Sequence, residues 1–558
     1  MKIPFLLLFI VFSLHTSAQS SRYVVQFTDK KGSLFSIDNP SKYLSQRSID
    51  RRIKQHIPLD ETDLPLSQIY IDSIRLTGNV QIINQSKWLN QVCIETEDID
   101  AITKINSYPF VKKMQAVKKM SIHEPFIREK FNQEFKKIAV PNKTQGLKDA
   151  LNYGNAFGQI HLHEGEFLHN KGYRGEGMLL AVIDAGFYRY KTLPAFDSVN
   201  LNNQIIDTWD FVKNKASVNE EHPHGMHCFS IIASNIPGKL IGTSPKANFL
   251  LYRSEDVDTE SPMEEQYWIV AMERADSIGA DISTTSLGYN TFDNPAFNYS
   301  YADLNGKTTM MAKAATMAAR KGMIVLASAG NEGDKPWKFI TTPADADSIL
   351  SVGAVDASGI PGSFSSYGPA ADGRIAPTVA SVGVNTFVSN TGGGISNGNG
   401  TSFSSPNLAG LVACFWQAFP EFTNMEIIAA IKRSSSTFKN PNDRIGYGIP
   451  NFRLAYEDLE KQRTKKRLTA ILGENDLKVF PIPFKDQFTV AIKPQNTALA
   501  TFLLYTNEGR LITSQQISLN ENEVREVKFT ELQPLQRGVY ILKFIDGKSQ
   551  ETIQLLKK

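Results

Sequence analysis

The chain has 558 residues, 41% of them apolar and 21% charged, with a net charge of +3. That length exceeds one ordinary domain, and the composition is globular rather than disordered. A nearly balanced charge excludes an electrostatic case for nucleic acid as a partner.

The first segment is MKIPFLLLFIVFSLHTSAQS. Lys2 precedes an apolar stretch from Phe5 to Leu14, and small residues follow at Thr16 to Ala18. This is the pattern of a secretory signal peptide over residues 1–18, cut after Ala18 and too short to span a membrane. No later stretch approaches ~18 uninterrupted apolar residues, so no transmembrane segment is expected. Export permits disulfides, yet the chain has only Cys93, Cys228 and Cys414. Cys228 and Cys414 sit in apolar helical patterns that suit small buried hydrophobes, and a bridge between them stays open.

Residues 19–122 form a separate α+β unit. Strands are predicted in SRYVVQF (21–27), VQII (80–83), NQVCIET (90–96) and PFVKKMQAV (109–117), with a helix starting at DIDAITKI (98–105). Residues 123–152 are charged and lack sustained periodicity. They read as an exposed connector, open to processing.

From residue 153 to 456 apolar strands alternate with helices. The strands are LLAVID (179–184), ANFLLYR (247–253), MIVLASAG (323–330) and LSVGAV (350–355). Helical patterns at 261–279 and 310–322 lie between them. This is the signature of an α/β fold whose parallel sheet is flanked by helices, in which reacting groups gather at strand ends.

Four positions in this region carry chemistry. Asp184 ends a buried strand, where a carboxylate can be desolvated and held rigidly. His224, in HPHGMHCFSIIA (222–233), starts an apolar helical run that can orient it. A polar helix start or a zinc cluster would also suit this histidine, although no HExxH or paired CxxC accompanies it. Asn331, in the GNEG after a buried strand, can donate its amide to a developing oxyanion or simply make a turn. Ser402, in GTSFSSP (400–406), lies at the entry to a helix, where backbone N–H groups surround its hydroxyl.

The order Asp, His, Asn, Ser, with motifs DAG, HGMH, GNEG and GTSFSSP, resembles the subtilisin-like serine peptidases. Further matches are GTSPKA (242–247), ADISTTSLG (280–288) and FSSYGPAADGR (364–374). RIGYGIPNFRLAY (444–456) looks like the closing turn and helix of such a domain. The resemblance implies Ser402 as nucleophile, His224 as general base, Asp184 as its orienting acid, and Asn331 with the Ser402 N–H as oxyanion hole. It implies that Ser286, Leu287 and Gly288 pair with an extended substrate. Gly288 and the run containing Ala329 and Gly330 would then flank an open pocket for a large or apolar side chain.

Four residues depart from the family pattern. Ala185 stands where serine or threonine is usual, so one hydrogen bond to the Asp184 carboxylate is expected to be missing. Met226, Phe403 and Asn407 replace the commoner threonine, methionine and histidine. Pro406 is expected within the first turn or so of the helix, where a missing N–H is best tolerated.

The unit ahead resembles the inhibitory propeptide of subtilases, SKWLN (86–90) included; the other reading is an N-terminal domain that is retained. Residues 457–474, with KQRTKKR (461–467), are expected to be a solvated helix end and linker. Residues 475–558 show about seven short strand patterns, a small β-sandwich. FPIPF (480–484), YTNEGRLI (505–512), RGVYILKF (537–544) and the final LLKK resemble the C-terminal sorting domain of type IX secretion. A carbohydrate- or surface-binding sandwich is the alternative.

The expectation is therefore a secreted or surface-attached serine endopeptidase. Its partners would be peptide substrates, its own propeptide and the type IX secretion machinery. No cofactor is expected. Calcium is common among relatives, but no EF-hand-like loop occurs, and Asp345 with Asp347 reads as a solvated turn. The rival readings are a non-catalytic binding protein on the same scaffold and a maturase of narrow specificity.

Overall fold

The computed structural model describes residues 21–118, 131, 134–135 and 149–558. The expected signal peptide and most of the connector lie outside the described residues. The chain divides into two compact units, one reaching to Ala455 and the other Tyr456–Lys558.

The first unit opens with an α+β layer. Strands β1 (Arg22–Phe27), β2 (Gln81–Ser86), β3 (Gln91–Glu95) and β4 (Val111–Lys118) form an antiparallel sheet in the order β2-β3-β1-β4. Helix α1 (Gln46–Lys54) and helix α2 (Gln68–Arg75) had no prediction. Helix α3 (Ile99–Ser107) begins where the Asp98 carboxylate accepts the Ala101 N–H at 2.9 Å. Val25, Phe27, Ile71, Ile74, Val92, Ile94 and Ile105 make its core.

The peptidase-like layer is a seven-stranded, all-parallel sheet. Its strands are β5 (Leu179–Asp184), β6 (Ile205–Asp210), β7 (Asn248–Arg253), β8 (Ile282–Thr285), β9 (Ile324–Ser328), β10 (Leu350–Val355) and β11 (Val379–Val382). The order is β11-β10-β9-β8-β5-β7-β6. From β5 the chain passes to the edge strand β6 and returns through β7, and from β8 it winds outward the other way through β9, β10 and β11, so the crevice of a doubly wound sheet falls at the carboxyl ends of β5 and β8. β5, β9 and β10 are buried at every residue, as their unbroken apolar runs require of strands covered on both faces. One face packs on α5 (Pro262–Ile278) and α6 (Met310–Arg320) through Trp268, Met272, Met311 and Ala315. The other is covered by α4 (His224–Ala233) and α7 (Thr401–Ala418).

The N-terminal layer sits on α5 and α6 through buried charges. The Glu273 carboxylate accepts the N–H groups of Lys87 and Trp88 at 2.8 and 3.0 Å and the Ser86 hydroxyl at 2.5 Å. Arg52 bridges Asp63 at 2.7 Å and Asp276 at 2.8 Å, Lys321 meets Asp63 at 2.7 Å, and Arg51 pairs with Asp276. Buried charges persist only when paired in this way.

Two expectations are corrected. The stretch 457–474, expected as a helix end followed by a linker, is helical as far as Leu472, because helix α8 (Phe452–Leu472) runs through it. Lys, Arg, Gln and Glu are good helix formers, no Gly or Pro interrupts them, and Leu468 and Leu472 bury one turn apart. Asp345 is fully buried rather than solvated, accepting the Gly306 N–H at 2.8 Å, and burial holds its carboxyl pKa up. Cys228 and Cys414 are buried and free, as small hydrophobes would be, and Cys93 is buried and free too.

The second unit has a three-stranded sheet (477–480, 488–492 and 525–529) and a four-stranded sheet (498–506, 511–519, 538–545 and 550–557). Phe488, Val490, Phe502, Leu504, Leu542 and Phe544 lie in their common core. The buried–partly buried alternation along Gly538–Ile545 is that of a sandwich strand.

Candidate active site

Asp184 is the last residue of β5. Its Oδ1 accepts the Ala185 N–H at 2.7 Å and lies 2.5 Å from His224 Nδ1. A carboxylate facing Nδ1 holds the proton on that nitrogen and fixes the ring. Asp184 Oδ2 is buried with no hydrogen-bond partner. Ala185 accounts for that, since it brings no hydroxyl.

His224 is the first residue of α4. The helix reaches Asp184 because its second residue is glycine. A Cβ on Gly225 would stand 2.5 Å from the Gly186 oxygen and 2.7 Å from Asp184 Cβ. Burial pulls the imidazole toward its neutral form, but the carboxylates of Asp184 and Glu134 together push its pKa up to about 10. Glu134 Oε2 lies 3.2 Å from His224 Nε2. The neighbouring His227 is a packing residue. Its Nδ1–H donates to the Ser389 carbonyl at 2.7 Å, and burial brings its pKa down to about 4.

Ser402 is the second residue of α7, among N–H groups that have no partner within the helix. Its hydroxyl donates to the Ser286 carbonyl at 3.4 Å. Pro406, the sixth residue of α7, has no N–H to give to the Ser402 carbonyl four residues back. That carbonyl instead accepts the Ser286 hydroxyl at 2.7 Å and the Cys228 thiol at 3.3 Å.

Asn331 follows β9. Its Oδ1 accepts the Thr401 N–H at 2.9 Å and the Thr401 hydroxyl at 3.0 Å. A backbone N–H only donates, so the oxygen must face the helix start and the Nδ2 donors are turned away from it. The four residues singled out from the sequence thus converge around the amino ends of two helices and the carboxyl ends of central strands.

Ser286 and Leu287 are buried and Gly288 is exposed. Ala329 is buried, and Gly330 has φ +106°, which a larger side chain adopts only with strain. Thr341, which the sequence reading missed, narrows the space beside these glycines. A Cβ built on Gly288 would lie 2.2 Å from Thr341 Oγ1, and one on Gly330 would lie 2.9 Å from it. The Thr341 hydroxyl is buried and has no hydrogen-bond partner. A space between two glycines and a threonine is less open than the glycines alone suggest.

Among the described residues, two clusters bring ligand-type atoms within 4.8 Å of one another: Asp184 with His224 and Cys228, and Glu255 with Glu260 and Glu264. The second lies beside Tyr289, whose hydroxyl donates to Glu255. Chemically it suits a cationic group. The first cluster is instead an acid–imidazole pair with a thiol already donating elsewhere.

The sequence reading also missed three connector residues. Phe131 stacks on the His224 ring at 3.9 Å, Glu134 is 4% exposed, and Phe135 packs against His227 and Phe403. An isolated Glu in an aperiodic charged stretch carries no sign that it will be buried.

Known proteins match in three places. Residues 175–448 match the subtilase family, 22–135 the peptidase S8 propeptide domain of Bacteroidota, and 478–558 the secretion system C-terminal sorting domain. Subtilisin NAT of Bacillus subtilis subsp. natto is 28% identical over 291 residues, 52% of this chain and 68% of that protein. The thermophilic serine proteinase of Bacillus sp. (strain AK1) is 29% identical over 279 residues, 49% of this chain and 60% of that protein. Fervidolysin from Fervidobacterium pennivorans, described as a keratinolytic enzyme related to subtilisin, shares the fold. It has a TM-score of 0.55 and 15% identity, over 97% of this chain and 76% of that one. The sorting domain marks the product for export to the surface or medium. Set between a propeptide and a sorting domain, residues 175–448 belong to the subtilase family, and the chain is a subtilisin-like serine endopeptidase.

Proposed function

We propose that Ser402 is the nucleophile, His224 its base, Asp184 the acid that orients the base, and Asn331 the side-chain donor of the oxyanion hole. The observation that carries this reading is the 2.5 Å contact of Asp184 with His224 Nδ1, which leaves Nε2 as the nitrogen available for chemistry. In the reaction, Ser402 Oγ bonds to the substrate carbonyl carbon while its proton passes to His224 Nε2. The Asp184 carboxylate stabilises the resulting imidazolium. The oxyanion is held by Asn331 Nδ2 and the Ser402 N–H. Collapse breaks the C–N bond, and the leaving amine takes the proton from His224. Water then repeats the sequence on the acyl-enzyme. The scheme uses no cofactor.

Ser286, Leu287 and Gly288 would pair with the substrate backbone, and Ala329 and Gly330 would border the pocket for the residue before the scissile bond. Residues 1–18 are read as a signal peptide, the 19–122 unit as removable, and 475–558 as serving export by type IX machinery rather than catalysis.

The test is hydrolysis of a mixed peptide library by propeptide-free protein beside Ser402→Ala. Cleavage by the first and none by the second supports the assignment and reports side-chain preference. Cleavage of one or a few sequences only would favour a dedicated maturase. No cleavage by either folded protein would leave a binding role.

A further inference from the structure

Glu134 holds its place through both backbone and side chain. The Asn399 N–H donates to its carbonyl at 2.5 Å, just ahead of Ser402 in the chain. Its carboxylate lies 3.2 Å from His224 Nε2, and a Cβ on Gly400 would stand 2.9 Å from Oε1. Phe131 stacks on the same imidazole with its plane tilted by 27°, and Phe135 closes against Phe403 and His227. Phe131 and Glu134 therefore cover the ring whose Nε2 the proposed mechanism needs.

A carboxylate has only acceptor sites, so a ring nitrogen facing it is stabilised when it carries a proton. Asp184 already fixes a proton on Nδ1. With Glu134 opposite Nε2, both nitrogens face carboxylates and the ring is held as imidazolium. An imidazolium cannot accept the Ser402 proton. Consistently, the Ser402 hydroxyl donates to the Ser286 carbonyl. Among the described residues, the titratable groups around the ring are Asp184, Glu134, His222, His227 and Cys228. Only the first two are carboxylates, and they lie on opposite sides of it.

We propose that Glu134 is the latch of the uncut chain, an ion pair with His224 that keeps the imidazole doubly protonated until the connector leaves. This rests on His224 acting as the base.

The latch is tested in the full chain by two measurements. In Ser402→Ala protein, histidine NMR follows the His224 titration with Glu134, with Glu134→Gln and with Phe131→Ala. Glu134→Gln is expected to lower the midpoint by one unit or more, whereas Phe131→Ala, which changes packing without charge, moves it far less. In chain with Ser402 intact, one unit corresponds to about tenfold more neutral imidazole at pH 7. Glu134→Gln should therefore raise the rate at which activity appears about tenfold. An unchanged midpoint, an equal shift with Phe131→Ala, or an unchanged activation rate would overturn the latch. Failure of the enzymatic reading is separate. It would appear as no peptide hydrolysis by propeptide-free protein, whatever the titration shows.

Discussion

The Ser286 hydroxyl donates to the Ser402 carbonyl at 2.7 Å, in the place of the helical bond that Pro406 cannot make. The end of a sheet strand and the start of α7 are thereby tied at the residue whose hydroxyl is to react. Thr284 Oγ1 and Ser405 Oγ, 3.0 Å apart, add a second tie.

Ser286→Ala should leave that carbonyl with the weaker thiol donor alone and destabilise the fold by about 1–3 kcal/mol, the cost of an under-satisfied buried group. Pro406→Ala restores a backbone donor in register. In a double-mutant cycle by urea unfolding, Pro406→Ala is expected to recover most of the loss caused by Ser286→Ala. Additive effects would show that the two donors do not serve one acceptor.

Asn331→Leu should lower turnover by about 10²–10³ with little change in KM, the size known for such a donor in subtilisin. Thr401→Val removes only one of the two groups that orient the amide. Because the Thr401 N–H remains, its loss should be much smaller. Steady-state kinetics on one peptide separates the two.

Thr341→Gly should enlarge the space beside Gly288 and Gly330 and move preference toward bulkier side chains. A few methylenes in such a pocket are worth about 1–3 kcal/mol, or roughly 10–200-fold in relative kcat/KM. Peptides differing only in the residue before the cleaved bond would show the shift. An unchanged profile would place that side chain elsewhere.

Stability of the full chain should peak near neutrality. His163, His169 and His227 have pKa values brought down by burial to about 4, from an ordinary 6.5. The stability tied to their neutral forms is complete above 6.5 and is lost as pH falls toward 4. His224 has the opposite sign. Its pKa is pushed up to about 10, so its contribution is complete below 6.5 and lost as pH rises toward 10. Urea unfolding of Ser402→Ala protein across pH 5–10 checks both limbs. Glu134→Gln should flatten the alkaline limb alone.

Much of the fold could be read from local pattern. LLAVID, MIVLASAG and LSVGAV are strands because continuous apolar runs of that length suit a sheet covered on both faces. The helix starts at His224 and Ser402 were visible for a similar reason, small or polar residues followed by long apolar stretches. The basic run at 461–467 was harder. Its charges suggested a helix end running into a linker, while the four-residue spacing of Leu468 and Leu472 carries the helix further. Asp345 read as a solvated turn because nothing local announces the Gly306 N–H that it accepts from 39 residues away.

By itself, then, the sequence determined what local chemistry dictates: three successive regions, the strand and helix types, and the four residues with reactive or donor groups at element ends. Tertiary structure alone decided which groups face one another. It brought Ser286 to the Ser402 carbonyl, Thr341 to the two glycines, and Glu134 across to His224. Periodicity and caps act over a few residues, whereas burial of a charge or a lone hydroxyl depends on partners that only chain crossings supply.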